Sequence, residues 1–201
     1  HGQMLLGVKG EYNPIQVSIG QFYGIEINDF AVTVAKTALW IAESQMMQET
    51  EKLMQINLNF LPLKSYANIV EGNALRIDWE SVVPKEKLNY IMGNPPFVGY
   101  SLQSKEQKSD ILSIYVDEKG KPYKTAGKID YVAGWYFKAT MLMIGTEIRT
   151  AFVSTNSITQ GEQVASVWKP LYDRFGIHID FAHRTFRWDS EASLKAHVHC
   201  V

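Results

Sequence analysis

One ten-residue stretch carries residue types that can hold and orient a small polar group. It runs from Leu88 to Phe97 and ends in Asn94, Pro95, Pro96 and Phe97, after a run rich in strand formers. Neither proline can donate an N–H, and each pushes the preceding residue toward extended geometry, so we expect a stiff elbow after a buried strand. There the asparagine carbonyl and free backbone carbonyls face one small space beside an aromatic ring. Two such acceptors fit a flat group that carries an NH2.

The same four residues have a plainer interpretation, an ordinary Pro-Pro turn capped by the asparagine. What favours a ligand site is position, because open α/β sheets bind ligands beyond the carboxyl ends of their strands. Two more polar residues follow strand-like runs: Glu26 near the end of Gln21–Ile27, and Asn73 after a strand near residues 68–71. Strands separated by helices imply a mostly parallel sheet. We therefore expect Glu26, Asn73 and Asn94 to converge on one edge.

The elements that must position these residues alternate between strand and helix. A helix is predicted from a cap at Asn28 or Asp29 to about Met54, because its apolar residues recur at helical spacing. Residues 98–129 are lysine-rich without clear periodicity, and we predict a mobile loop there, with room for one short helix. Further elements are predicted as helices over residues 130–144 and 162–174, closed by Gly176, as strands over 150–155 and 177–181, and as a terminal strand over 198–201 that pairs antiparallel with 177–181.

Composition bounds the class of protein. With 201 residues, 46% of them hydrophobic and 20% charged, the chain is an ordinary globular domain. A net charge of −1 excludes nucleic-acid binding by overall charge alone, so DNA contact must rest on local patches or on another part of the protein. The single cysteine, Cys200, excludes an internal disulfide and suits a reducing cytoplasm. No apolar run is long enough for a membrane span.

Three short stretches, Phe22–Glu26, Gly72–Leu75 and Gly93–Phe97, resemble the class I methyltransferases that use S-adenosylmethionine. Two later stretches, Asp130–Phe137 and Ala182–Trp188, are similar to the N6-adenine DNA methyltransferases of type IIG-like restriction–modification proteins. The resemblance covers most of the chain. It implies a Rossmann-like α/β sheet with flanking helices.

The resemblance also implies a set of cofactor-binding residues. Glu26 would accept hydrogen bonds from both ribose hydroxyls. Asn73 stands where the family has an aspartate that contacts the cofactor's adenine amine, and its side-chain carbonyl can still accept that bond. Trp135 would pack on the same adenine, although an aromatic residue at this position can also serve only as core. The predicted cofactor-binding set is completed by Ile27, Ala74 and Asp130.

A second set of residues would hold the target base. By the resemblance, Asn94 and the Pro95 carbonyl accept the two hydrogens of the target amine, Pro96 completes the catalytic elbow, and Phe97 stacks on the base. The remaining predicted contacts to the base or to DNA are Phe186, Trp188, Arg184 and Arg187, of which the two arginines could equally be surface charges. His197 and His199 have no third ligand in sequence, so we predict no metal site.

The resemblance further implies that this chain is one part of a catalytic domain. The glycine-rich cofactor loop, the first and central strand of the sheet, and a target-recognition domain would lie outside the chain. We therefore expect double-stranded DNA to be bound by the full-length protein. The isolated 201 residues are expected to be inactive, to bind S-adenosylmethionine more weakly than micromolar, and to dimerise through exposed strand edges.

Two other functions stay open. Release-factor glutamine methyltransferases also use an Asn-Pro-Pro elbow, and a side-chain amide fits the same two acceptors. Their elbow usually ends in tyrosine, so Phe97 and the Ala182–Trp188 stretch favour adenine. The second alternative is a folded but non-catalytic interaction module.

Overall fold

The computed structural model describes residues 17–55, 68–183, 186–188 and 196–200. Helices and strands alternate along these residues, as expected for an α/β protein. The chain divides into two compact units, His1–Asn73 and Ala74–Val201. None of the helices in the described ranges is long and apolar enough to cross a membrane.

The first unit combines a two-stranded parallel sheet with one long helix. Strand β1 (Tyr23–Glu26) pairs in parallel with β2 (Asn68–Glu71), and α1 (Asp29–Met54) lies between them in sequence. The Asn28 side chain caps α1 by accepting a hydrogen bond from the Ala31 N–H at 3.0 Å, which satisfies one of the free donors of the first turn. The predicted cap, helix and second strand are confirmed.

The second unit is built on a four-stranded mixed sheet. Its strands are β3 (Tyr90–Gly93), β4 (Arg149–Thr155), β5 (Phe186–Trp188) and β6 (Ala196–Cys200), in the spatial order β3-β4-β6-β5. β3 and β4 are parallel, whereas β6 runs antiparallel to both β4 and β5. The elbow at Asn94 thus follows a strand whose only neighbour within the described residues is β4.

The expected strand over residues 177–181 is wrong. The chain there forms no strand, and the terminal strand pairs with β4 and β5 instead. Ile177 packs against the core, but Ile179 and Phe181 are exposed. Three alternating apolar residues were therefore too few to identify a strand, because only one of them is even partly buried.

The helices of the second unit surround its core. They are α2 (Trp79–Val82), α3 (Lys105–Ile114), α4 (Ala133–Met143), α5 (Gly161–Gln163) and α6 (Lys169–Phe175), with one π-helical turn, Val164–Trp168, between the last two. Gly176 ends the last helix with a φ of 62°, as predicted. Helix α4 begins three residues later than expected, because Asp130 to Val132 form a tight turn before it.

Residues 98–129 contribute to the core rather than forming a structureless loop. Ser104 and Gln107 form a capping box at the start of α3. Helix α3 is the one short helix that the sequence analysis allowed within residues 98–129. Ile111, Tyr115 and Ile129 are each at most 1% exposed. These buried positions could not be recognised in the sequence, because the charged residues of this segment outnumber the apolar residues that pack in the core.

Candidate active site

The elbow after β3 presents Asn94 to solvent and buries Pro95 beneath it. The ladder between β3 and β4 reaches Gly93, which pairs with Phe152. Asn94 and Pro96 are exposed, Pro95 is buried, and Phe97 is half-buried. Within the described residues, the Asn94 side chain has no hydrogen-bond partner. Its amide is therefore available to a ligand, on a backbone that the two prolines restrain.

The residues that follow the elbow are tied to the segment before α4. The Pro96 carbonyl accepts a hydrogen bond from the Val98 N–H at 3.1 Å. The Val98 carbonyl in turn accepts one from the Tyr131 N–H at 2.9 Å. Two residues further on, the Tyr100 N–H donates to Oδ1 of Asp130 at 3.0 Å. The exit of the elbow is thereby fixed by two consecutive residues, 130 and 131.

Asp130, predicted to bind cofactor, has protein partners on both carboxylate oxygens. Besides the Tyr100 N–H on Oδ1, the Ser157 hydroxyl donates to Oδ2. The Gln163 amide nitrogen lies 3.5 Å from Oδ1, and the Asp130 N–H donates to the Gln163 side-chain carbonyl at 3.2 Å. Asp130 is 6% exposed. Neither Ser157 nor Gln163 was recognised in the sequence, because each lies about thirty residues away in the chain.

Trp135 lies one helical turn beyond this cluster and is half-buried. The edge of the Tyr131 ring packs on it, with centroids 5.2 Å apart. The Tyr131 hydroxyl donates to the buried carboxylate of Asp110 at 2.9 Å. Asp110 also pairs with Arg76, whose Nε lies 2.7 Å from Oδ1, and this pairing raises the pKa of the guanidinium. Trp135 therefore has an ordered neighbour on one side and solvent access on the other.

Ala74, another predicted cofactor residue, begins a turn whose carbonyl groups converge on Lys138. The Lys138 ammonium donates to the carbonyls of Ala74 at 2.9 Å, Leu75 at 3.1 Å and Ile77. Burial lowers the pKa of Lys138, although the charge of Asp78 opposes that shift. The sequence carried one signal that was missed: Lys138 is the lone charged residue in the long apolar run that forms α4.

In the first unit, Glu26 lies at the end of β1, and Asn73 lies two residues past the end of its partner strand β2. Glu26 is the last residue of β1, and its carbonyl accepts a hydrogen bond from the Gly72 N–H at 2.8 Å. Oε1 of Glu26 accepts from the Ile27 N–H at 2.9 Å. Gly72 has a φ of 152°, which favours glycine and turns the chain sharply before Asn73. The convergence of these two residues with Asn94 stays a prediction.

The predicted DNA-contacting residues are described only in part. Arg184 lies outside the described residues. Phe186, Arg187 and Trp188 form the backbone of β5, and their side chains lie outside the description. Among the described side chains, no three His, Cys, Asp or Glu residues come together as a metal site.

Comparisons with known proteins bear on this geometry. The chain is 43% identical to "DNA methyltransferase A" of Bacillus subtilis (strain 168) over 193 residues, covering 94% of this chain and 21% of that protein. It matches a solved structure of the type IIL restriction–modification enzyme MmeI in complex with DNA, with a TM-score of 0.82 and 46% identity, covering 92% of this chain and 24% of that one. The chain thus spans about a quarter or less of either relative's length.

These similarities define a class: this is a DNA methyltransferase domain of restriction–modification type. More narrowly, residues 3–201 match the family described as "MmeI, DNA-methyltransferase domain", and the chain belongs to that family.

Proposed function

We propose that the full-length protein transfers a methyl group from S-adenosylmethionine to the N6 amine of adenine in double-stranded DNA. The observation that carries the proposal is the elbow itself. Within the described residues the exposed Asn94 amide has no hydrogen-bond partner, and it is followed in the chain by a buried Pro95 and a half-buried Phe97. Membership of a DNA methyltransferase family supports the reaction class. The structural neighbour is described as a complex with DNA, which supports DNA as the substrate.

The elbow residues would act by holding the amine rather than by reacting with it. Asn94 Oδ1 and the Pro95 carbonyl accept the two N6 hydrogens, which turns the nitrogen lone pair toward the methyl donor. With S-adenosylmethionine bound, the amine nitrogen would take the methyl group, the sulfur would keep the electron pair of the broken S–C bond, and the amine would then lose one proton to solvent. Phe97 stacks on the adenine, which must first leave the duplex at a cost of a few kcal/mol. Positioning and electrostatic complementarity supply the rate.

The residues present fit S-adenosylmethionine. The Glu26 carboxylate is half-exposed at a strand end and has one oxygen held by a backbone N–H, which leaves the other oxygen for a ribose hydroxyl. Trp135 is half-buried, and we propose that its ring packs on the cofactor's adenine. We propose Ile27 and Asn73 of the first unit and Ala74 of the second as further cofactor contacts. The cofactor, when bound, supplies an electrophilic methyl group.

The Rossmann-like sheet is proposed to contain a further central strand. Within the described residues β1 pairs only with β2, and β3 pairs only with β4. Strands β1 and β3 therefore each have one edge at which another strand can pair. We propose on the same ground that the isolated chain is inactive and binds cofactor weakly, and that it dimerises through these edges.

The experiment compares the two asparagines that flank β3, Asn89 directly before it and Asn94 directly after it. Asn94→Ala should abolish transfer of labelled methyl groups to DNA and leave the calorimetric affinity for S-adenosylmethionine largely unchanged. Asn89→Ala, at the exposed position before the same strand, should retain both properties. Near-normal methylation by Asn94→Ala would contradict the mechanism. Because a glutamine amide carries the same NH2, a release-factor protein is included as a second substrate, and labelling of it instead of DNA would identify the alternative function.

A further inference from the structure

One buried carboxylate connects the exits of two neighbouring parallel strands. Oδ1 of Asp130 accepts the N–H of Tyr100, three residues past Phe97 and therefore on the exit of β3. Oδ2 accepts the hydroxyl of Ser157, two residues past the end of β4. The Ser157 hydroxyl is also 2.7 Å from that of Thr155, the last residue of β4. A single side chain thus spans the edge of the sheet on which the elbow stands.

Asp130 is itself held in place from the side of helix α5. Its N–H donates to the Gln163 side-chain carbonyl at 3.2 Å, and the amide nitrogen of Gln163 donates to the Lys128 carbonyl at 2.7 Å. The next residue adds a backbone link, since the Tyr131 N–H donates to the Val98 carbonyl at 2.9 Å. Asp130 therefore has little freedom to reach for a ligand. Hydrogen bonds to a charged carboxylate are stronger than hydrogen bonds between neutral groups.

We propose that Asp130 is a positioning residue for the target amine and not a ligand of the cofactor. The inference rests on the proposed methyl transfer. By fixing Tyr100 and Ser157 to one point, Asp130 sets the angle at which the chain leaves the elbow. Asn94 and the Pro95 carbonyl then face the amine in one geometry. A shift of about 1 Å in such a group costs about 100-fold in rate.

The two roles predict different kinetic changes. A cofactor ligand, when removed, raises KM for S-adenosylmethionine, whereas a positioning residue lowers kcat with little change in that KM. In the full-length protein at saturating DNA, Asp130→Ala should lower kcat about 100-fold and change KM for S-adenosylmethionine by less than about threefold. Asp130→Asn should recover roughly tenfold of that loss, because its amide oxygen can still accept the Tyr100 N–H. Ser157→Ala should fall between Asp130→Asn and the unsubstituted protein.

Asp117 offers a matched control. Like Asp130, it has a carboxylate that accepts hydrogen bonds from residues of the protein. The donors are the backbone N–H groups of Lys119 at 2.8 Å and Lys121 at 2.9 Å, in a turn that contains no predicted site residue. Asp117→Asn should leave kcat and both KM values unchanged. An equal loss of kcat in this variant would show that the effect is not specific to the elbow, and would overturn the proposal.

The remaining outcomes are also decisive. A rise of about tenfold or more in KM for S-adenosylmethionine at an unchanged kcat would make Asp130 a cofactor ligand and overturn the proposal. Should circular dichroism show that Asp130→Ala is unfolded, Asp130→Asn and Ser157→Ala decide, and unchanged kcat in both overturns it. If the unsubstituted protein methylates no DNA, the proposed function fails. If the unsubstituted protein methylates DNA and the Asp130 variants methylate it with an unchanged kcat, the proposed function stands and this inference alone fails.

Discussion

The turn that begins at Ala74 depends on one ammonium group, and Lys138→Met tests that dependence. The variant removes a donor from the carbonyls of Ala74, Leu75 and Ile77 while keeping a flexible apolar stem. Hydrogen bonds from a charged donor contribute about 1.5–3 kcal/mol each. Burial of the ammonium offsets part of that gain, as its lowered pKa indicates. We therefore expect the turn to lose about 2 kcal/mol of local stability.

The assay is amide hydrogen exchange by mass spectrometry on the full-length protein. Peptides that cover residues 78–83 contain three amides that are hydrogen-bonded beside this turn: those of Glu80, Ser81 and Val83. A loss of 2 kcal/mol should speed their exchange about 30-fold. The measurement is local, so it does not require the whole protein to unfold in one step.

Lys169 supplies the control for this prediction. Its ammonium lies 2.6 Å from Asp173 on the next turn of α6, but its side chain is 71% exposed. Lys169→Met should change local stability by less than about 0.5 kcal/mol, because exposed ion pairs contribute little. If residues 78–83 exchange equally slowly in Lys138→Met and in the unsubstituted protein, the Lys138 ammonium does not stabilise this turn.

Two further predictions concern packing in the second unit. Tyr115→Phe removes a buried hydroxyl whose one hydrogen is shared between the Ser166 and Val167 carbonyls of the π-helical turn, so we expect about 1–3 kcal/mol of destabilisation there, measured by hydrogen exchange over residues 164–175. Gly134→Val should destabilise the domain by about 1–3 kcal/mol, because a Cβ at this position would lie 3.0 Å from the Ile111 and Leu75 side chains. A Cβ at Gly127 would meet no atom within 4 Å, so Gly127→Ala should leave the urea midpoint unchanged.

Local patterns in the sequence were sufficient for the elements next to the candidate site. Helix α1 has a capping asparagine and a helical apolar period, and it runs from Asp29 to Met54 as predicted. The strand before the elbow ends at Gly93, because two prolines follow directly after Asn94. These features depend on residues only a few positions apart. They can therefore be recognised without knowledge of the tertiary structure.

Features that depend on distant residues could not be predicted in this way. The partners of Asp130 lie about thirty residues away on either side, and nothing local distinguishes this aspartate from one that binds a ligand. Lys138 was missed for the same reason, since its three acceptors lie more than sixty residues earlier. In residues 177–181 the error was the opposite one. A local alternation was present, but the predicted partner strand, β6, pairs with β4 on one side and with β5 on the other.

The chemical identity of the methylated product shows whether the full-length protein methylates the N6 amine of adenine. The full-length protein is incubated with S-adenosylmethionine and unmodified duplex DNA, and the DNA is digested to nucleosides for mass spectrometry. We expect N6-methyladenine as the product, and no N6-methyladenine when the Asn94→Ala variant is used. Methyl groups found on a cytosine or on a protein glutamine, or N6-methyladenine formed at a normal rate by Asn94→Ala, would contradict it.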